Sequence, residues 1–357
     1  MSFLLAAAGF CALIVLHELG HFAAAKAVGM RVERFALFFG RTPFTFRRGE
    51  TEYGIGWLPL GGYVKITGMN PAEDIPPEVA HRSYYRQKVW KRVVVIAAGP
   101  AVNIAIAFAL LTALYAATPT SEPTRNVQSV EAGSPAAREL QPGDELVAVD
   151  GKRGSQRELT DRINSHDCTD KRVGCEAAVP AQITIRRDGT LRMFEAKPVY
   201  DAERDRMRLG FTVAAVEKPP LGVVAAAGQS GVTMWRLTTL TVATIARIFE
   251  PEQRRQLSGP VGSYEATRQA IEIDLVRAVW LLALVSLSLG VINLFPFLPL
   301  DGGHIFWALA EKVRGRAIPF RVMERAGIVG VALIAVLFFI GLSNDIGRLT
   351  GEGFNFR

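Results

Sequence analysis

The chain has 357 residues, 49% of them apolar, and a formal net charge of +7, with a positive mean hydropathy of +0.20. That apolar content is gathered into long runs, which excludes an ordinary soluble domain and indicates an integral membrane protein. No aromatic-basic motif accompanies the excess of Lys and Arg, so nucleic acid is excluded as a partner; the lipid bilayer is expected, with the cations setting orientation.

The first apolar run, Phe3 to Met30, exceeds the roughly 20 residues that a spanning helix needs. It lacks a basic N-terminal region, and its charged cluster falls where a cleavable signal stays apolar, so a retained span is expected. Within it lies His17-Glu18-Leu19-Gly20-His21. Ionisable groups in hydrocarbon are costly and mark function. On a helix His17 and His21, at i and i+4, share one face. The spacing suits two imidazoles on one tetrahedral Zn²⁺, with Glu18 as general base on a water that the metal activates. On a soluble helix the same letters are as often a pair of surface histidines; the apolar surroundings favour the metal.

From Met30 to Arg92 the chain has neither helical period nor disordered composition. Glu52 to Lys65 reads as short β segments broken by Gly and Pro. Two readings stand: an ordinary cytoplasmic hairpin, or a hairpin re-entering the membrane beside the metal, where its edge takes an extended substrate by strand addition. His81 to Arg92 reads as a cationic anchor, and Val93 to Ala117 as the second span.

An insert follows. Thr118 to Asn126 reads as a polar linker. Val127 to Val130 and Glu145 to Val149 read as strands, Ser134 to Leu140 as a short helix, and Ala181 to Arg187 with Arg192 to Lys197 as a hairpin about Asp188-Gly189. The stretch Gly133 to Gly151, with its turn glycines, Pro135-Ala136-Ala137 helix start and following strand, resembles a PDZ domain, a fold that captures extended peptides along a strand edge. Peptide capture and size exclusion stay open as its role. Cys168 and Cys175 are either a disulfide or two thiols, depending on the compartment.

Pro219 to Phe249 is apolar, but Gln229, Ser230, Arg236 and several threonines interrupt it, which favours an interfacial or protein-covered helix over a fifth span. Leu257 to Gly262 reads as a tight turn leading into a helix through Ala270. The third span, Leu275 to Leu294, ends in Asn293-Leu294-Phe295-Pro296-Phe297-Leu298-Pro299-Leu300-Asp301-Gly302-Gly303-His304, where prolines and glycines break the helix. Asp301 is either a third zinc ligand, leaving a fourth position open, or a helix N-cap. Asn293 is either a substrate or oxyanion contact or an interhelical bond. His304 is expected as a loop histidine. Gly327 to Leu342 is the fourth span. Lys and Arg concentrate between the first two spans and between the last two, which puts both basic loops in the cytoplasm and both termini and the insert outside.

His17-Glu18-x-x-His21, Pro59 to Lys65, the PDZ insert, Ser258-Gly259-Pro260-Val261-Gly262 and Asn293 to Gly302, in this order over nearly the whole chain, resemble the site-2 protease family of intramembrane zinc metalloproteases, in its bacterial regulator of sigma-E protease branch. The resemblance implies a polytopic α-helical membrane protein with four transmembrane helices, a cytoplasmic-side re-entrant β-hairpin region and an inserted α+β PDZ domain. The expected divisions are 1–117, 118–215 for the periplasmic PDZ domain, 216–274 for an extracytoplasmic amphipathic helical segment, and 275–357. It implies zinc on His17, His21 and Asp301, Glu18 as catalytic acid/base, Asn293 near the scissile bond, and Gly61, Gly62 and Tyr63 in a substrate-binding β-loop. It further implies a bacterial inner-membrane location and, as substrates, transmembrane segments of proteins already cut by another protease, such as anti-sigma factors or signal-peptide remnants. The branch often carries tandem PDZ domains, whereas one is seen here, and Pro299 falls one place later than its pattern. The rival from another class is a non-catalytic PDZ-bearing membrane scaffold with a structural metal; a transporter fits less well, since the spans show no internal repeat.

Overall fold

The structure is a computed structural model that describes residues 2–70, 73–168, 172, 174–201, 206–248, 250, 261–262 and 275–350. The chain divides into two compact units, Met1–Thr118 with Leu221–Arg357, and Pro119–Pro220.

In the first unit, helix α1 (Ser2–Ala27) runs until Gly29, whose φ of +82° lets Met30 N–H return to Ala25 O at 2.9 Å and close the helix. Four strands follow: β1 (Val32–Phe39), β2 (Phe44–Arg48), β3 (Thr51–Ile55) and β4 (Leu58–Ile66). They form one sheet in the order β2-β3-β1-β4, with β1 parallel to β3 and antiparallel to β4. The sequence reading found β3 and β4 but not β1 or β2, because Val32-Glu33-Arg34-Phe35-Ala36-Leu37-Phe38-Phe39 does not alternate cleanly. Ala25, Met30, Val32, Ile66, Tyr84, Val95 and Ile96 bury together and weld this sheet to the helices around it.

A short helix, α2 (Pro77–Ala80), leads to α3 (Val89–Ala117). Arg82 grips Glu50 with two bonds of 2.6 and 2.8 Å, and Lys26 reaches the same carboxylate at 2.7 Å, so one acid in the β2–β3 turn ties the end of α1 to the approach to α3. Within the cationic run His81 to Arg92, Arg82 is paired and Arg92 is buried, because acids of other elements reach them, whereas His81, Arg86 and Lys88 stay exposed. Arg82, with Lys26, holds the Glu50 carboxyl down at about 2 from an ordinary 4.5. The unfolded chain binds that proton more tightly, so the clamp stabilises fully above about pH 4.5 and is lost as pH falls through about 2. Glu50→Gln is expected to cost about 1 kcal/mol at neutral pH. The gap in thermal midpoint between wild type and variant in detergent is expected to narrow between about pH 5 and about pH 2.

Helix α4 (Gln156–Asn164) belongs to the insert. Beyond it, α5 (Val223–Ala246) packs along α3, with hydroxyl bonds from Thr112 to Ser230 at 3.2 Å and between Tyr115 and Thr233 at 3.0 Å. The expected turn at Leu257 and helix through Ala270 lie outside the described residues, save Val261 and Gly262; Gly262 N–H donates to Asp345 at 2.8 Å. Helix α6 (Leu275–Asn293), α7 (Asp301–Arg314) and α8 (Phe320–Thr350) are the remaining helices of the unit among the described residues. The fourth apolar helix is thus longer than Gly327 to Leu342, since polar residues continue it at both ends. Among the described residues four helices, within α1, α3, α6 and α8, are long and apolar enough to cross a membrane.

The second unit is a sheet in the order β12-β5-β6-β8-β9, from β5 (Thr120–Val130), β6 (Glu145–Val149), β8 (Ala181–Arg187), β9 (Thr190–Ala196) and β12 (Phe211–Lys218), with β7 (Lys152–Arg153) beside β6 and a separate pair, β10 (Val199–Asp201) and β11 (Arg206–Arg208). Helix α4 (Gln156–Asn164) starts with a Ser155–Glu158 capping box. Its Leu159 and Ile163 join Leu146, Val149, Ile183 and Ile185 in the core. The β8–β9 hairpin turns on Asp188 and Gly189, both at positive φ, as an Asp-Gly type I′ turn requires. Two expectations are corrected. Thr118 to Asn126 is no linker, since β5 takes in most of it; Pro123 is accommodated opposite Ala215, beside a register shift where the ladder is already interrupted. Ser134 to Leu140 is a run of turns rather than a helix: after the 2.9 Å bond of Leu140 N–H to Ala136 O, Pro142 prevents propagation. Cys168 and Cys175 are joined in a disulfide.

Candidate metal centre

The centre begins with the approach of α1 to α3. A Cβ on Gly20 would lie 2.7 Å from Ala98 O and 2.9 Å from Val102 Cγ2, so only glycine lets the two helices come this close. His17 and His21 are carried by the same face and are buried, 7% and 8% exposed. Their Nε2 atoms stand 3.3 Å apart. His21 Nδ1 donates to Val95 O at 2.8 Å; a carbonyl only accepts, so the proton sits on Nδ1 and Nε2 of the neutral ring offers a lone pair. Gly99 lies under both rings. A Cβ there would collide with His21 Nε2 and sit 2.9 Å from His17 Nε2.

Asp301 arrives from the other end of the chain. It is the first residue of α7, and the N-cap is Leu300, with no side-chain capping bond; the cap alternative is therefore not the one adopted. Asp301 Oδ2 lies 3.2 Å from His17 Nε2 and 3.3 Å from His21 Nε2, yet makes no properly directed hydrogen bond with either. Three lone-pair atoms aimed at one point, within 4.8 Å of one another, are the arrangement that a cation relieves. Two imidazoles and a carboxylate are also the donor set of a catalytic zinc with an open position, so the residues fit zinc. The tight packing that delivers Asp301 relies on glycine: a Cβ on Gly302 would strike Leu294 O, and one on Gly303 would lie 2.5 Å from Leu298 N.

Glu18, one residue on from His17, lies between the histidine pair and the sheet. A Cβ on Gly62 of β4 would lie 3.1 Å from Glu18 Cγ, so the strand passes directly beside the acid. Gly61, at φ +116°, precedes it. Tyr63, one residue on and so on the opposite face of the strand, accepts a 3.3 Å hydrogen bond from Arg34. Asn293 is the last residue of α6, half-buried. His304 is not a loop residue but lies in the first turns of α7, because the helix starts at Asp301 as soon as Gly302 and Gly303 allow close packing. The sequence reading missed Gly20, Val95 and Gly99, whose parts depend on which helices touch. A glycine next to Pro100 in an apolar run was the one signal for Gly99.

The profile of peptidase family M50 matches residues 5–337. The chain belongs to this family. A Clostridium perfringens protein bearing a zinc metalloprotease name is 31% identical over 97% of this chain and 98% of its own length. Zinc metalloprotease Rip1 of Mycolicibacterium smegmatis is 31% identical over 94% and 92%, and the regulator of sigma-E protease RseP of Escherichia coli 27% over 94% and 96%. Among solved structures, the PDZ domain of the SdrC-like protein of Listeria monocytogenes aligns with 27% of this chain and 94% of its own at 21% identity and a TM-score of 0.22. The family is one of zinc metalloproteases with membrane helices, and its metal is zinc.

Proposed function

We propose that this chain is an intramembrane zinc metalloendopeptidase that hydrolyses peptide bonds within transmembrane segments of proteins already cut by another protease, of the anti-sigma factor or signal-peptide-remnant type. The observation that carries this reading is the convergence of His17, His21 and Asp301 on one buried point, with Glu18 beside them against β4. His17, His21 and Asp301 hold the metal. When bound, zinc supplies Lewis acidity that activates a water for attack on a carbonyl carbon. Glu18 takes the proton from that water and hands it to the leaving amine.

A peptide bond inside a substrate helix has its N–H and C=O already engaged, so the helix must open before attack. Among the described residues β4 is an edge of its sheet, and an edge strand beside Glu18 suits an extended chain added as a further strand. In this reading the sheet is re-entrant, with Gly61, Gly62 and Tyr63 on the substrate path, and the Asn293 amide orients the peptide or its developing oxyanion. The Lys and Arg of the two basic loops place those loops in the cytoplasm of a bacterial inner-membrane protein. The PDZ-type insert and both termini then face the periplasm, and β12, an edge strand, offers that insert a place for peptide capture.

The test is zinc content together with cleavage of a transmembrane reporter, measured on detergent-purified wild type, His21→Ala and Asp301→Ala. Wild type is expected to hold about one zinc per chain and to cut; both variants are expected to lose both properties. Full zinc in Asp301→Ala would remove the aspartate from the site and the reading with it.

A further inference from the structure

Arg92 is 2% exposed, and its Nη1 donates to Glu311 Oε2 at 2.9 Å. Its guanidinium lies 5.9 and 5.6 Å from the ring centroids of Tyr84 and Tyr85, so it is enclosed by aromatic rings as well as paired. One partner is on α3, the helix packed behind the two histidines of α1, and the other is on α7, which carries Asp301. On α3, Arg92 stands one turn before Val95, whose carbonyl fixes His21, and two turns before Gly99. On α7, Glu311 lies about 15 Å of helix beyond Asp301. The start of α7 is already pinned, since Gly302 packs on the Leu294 carbonyl. A helix is a rod; held at its start, it is oriented by whatever holds its far end.

We infer that Arg92 and Glu311 are positioning residues for the metal centre, a latch that sets the tilt of α7 and with it the distance of the Asp301 carboxylate from the two imidazoles. The inference rests on the zinc reading above. A buried ion pair is weak evidence for stability as such, but it is well suited to selecting one packing over its neighbours, and residues behind the ligands tune a metal site by about 10–100-fold.

The experiment replaces zinc by Co²⁺ and reads the visible ligand-field spectrum, with zinc affinity measured by chelator competition on the full chain in detergent. Glu311→Gln, which keeps the volume and removes the charge, is expected to weaken zinc about 10-fold and to alter the cobalt spectrum. Arg92→Lys keeps the charge without the fork and is expected to fall between the two. The exchange Arg92→Glu with Glu311→Arg is expected to return affinity and spectrum toward wild type. Wild-type affinity and spectrum in folded Glu311→Gln overturn the inference, as does unfolding of all three variants, which would make the pair a plain structural element. His21→Ala separates the two levels: it must abolish the cobalt spectrum if the metal reading holds, whether or not the latch exists.

Discussion

Glu18→Gln is expected to keep about one zinc per chain while cleavage of a transmembrane reporter falls by roughly 10²–10⁴-fold. The substitution is nearly isosteric and touches none of the three converging atoms of His17, His21 and Asp301, so the metal has no reason to leave. An amide cannot accept the proton that the attacking water must lose. The site would then bind metal and substrate and stall at proton transfer. The comparison is made with matched protein amounts, following zinc by metal analysis and the reporter by gel shift. Undiminished cleavage in the variant would remove Glu18 from the chemistry, and zinc with no Glu18-dependent proteolysis in any form would favour the scaffold alternative.

Gly99→Ala is expected to drive zinc to background and activity with it, from the addition of one methyl group. The new Cβ would collide with His21 Nε2 and stand 2.9 Å from His17 Nε2, the two lone pairs that face the metal point. His21 has little room to yield, because its Nδ1 is held by Val95 O at 2.8 Å. The alternative response, a retreat of α3 from α1, is opposed by Gly20, which lets Ala98 O and Val102 pack at contact distance. Overpacking of this kind costs about 1–3 kcal/mol, so the variant is expected to fold with a lowered thermal midpoint and no metal. Gly54→Ala, where the nearest atoms to a Cβ are Thr42 and Thr45 side chains at 3.2 Å, serves as the control for a general glycine effect and is expected to retain zinc. Normal zinc in folded Gly99→Ala would show that the imidazoles do not face the metal as drawn.

Much of the architecture is readable in the chain because its causes are local. The apolar lengths locate α1, α3, α6 and α8, and the Asp188-Gly189 turn locates the β8–β9 hairpin. Where local signals mislead, the reason is a neighbour distant in sequence. Thr118 to Asn126 looks like a linker by composition and is drawn into β5 by pairing with β12. Arg92 looks like one of a surface row of cations and is buried because Glu311 meets it. His304 looks like a loop residue until Gly302 and Gly303 are seen to seat the start of α7.

By itself the sequence determines that an HExxH pair rides an apolar helix, since i and i+4 spacing is a property of the helix alone. It also offers Asp301, after the helix break at Pro296 and Pro299, as either a third ligand or a helix cap. Only the tertiary structure decides that Asp301 Oδ2 reaches both Nε2 atoms at 3.2 and 3.3 Å, that Val95 sets the tautomer of His21, and that Gly99 keeps the space open. The physical reason is range: helix periodicity is set by bonds within a few residues, whereas a lone-pair cluster is set by how closely whole helices pack, to a fraction of an ångström.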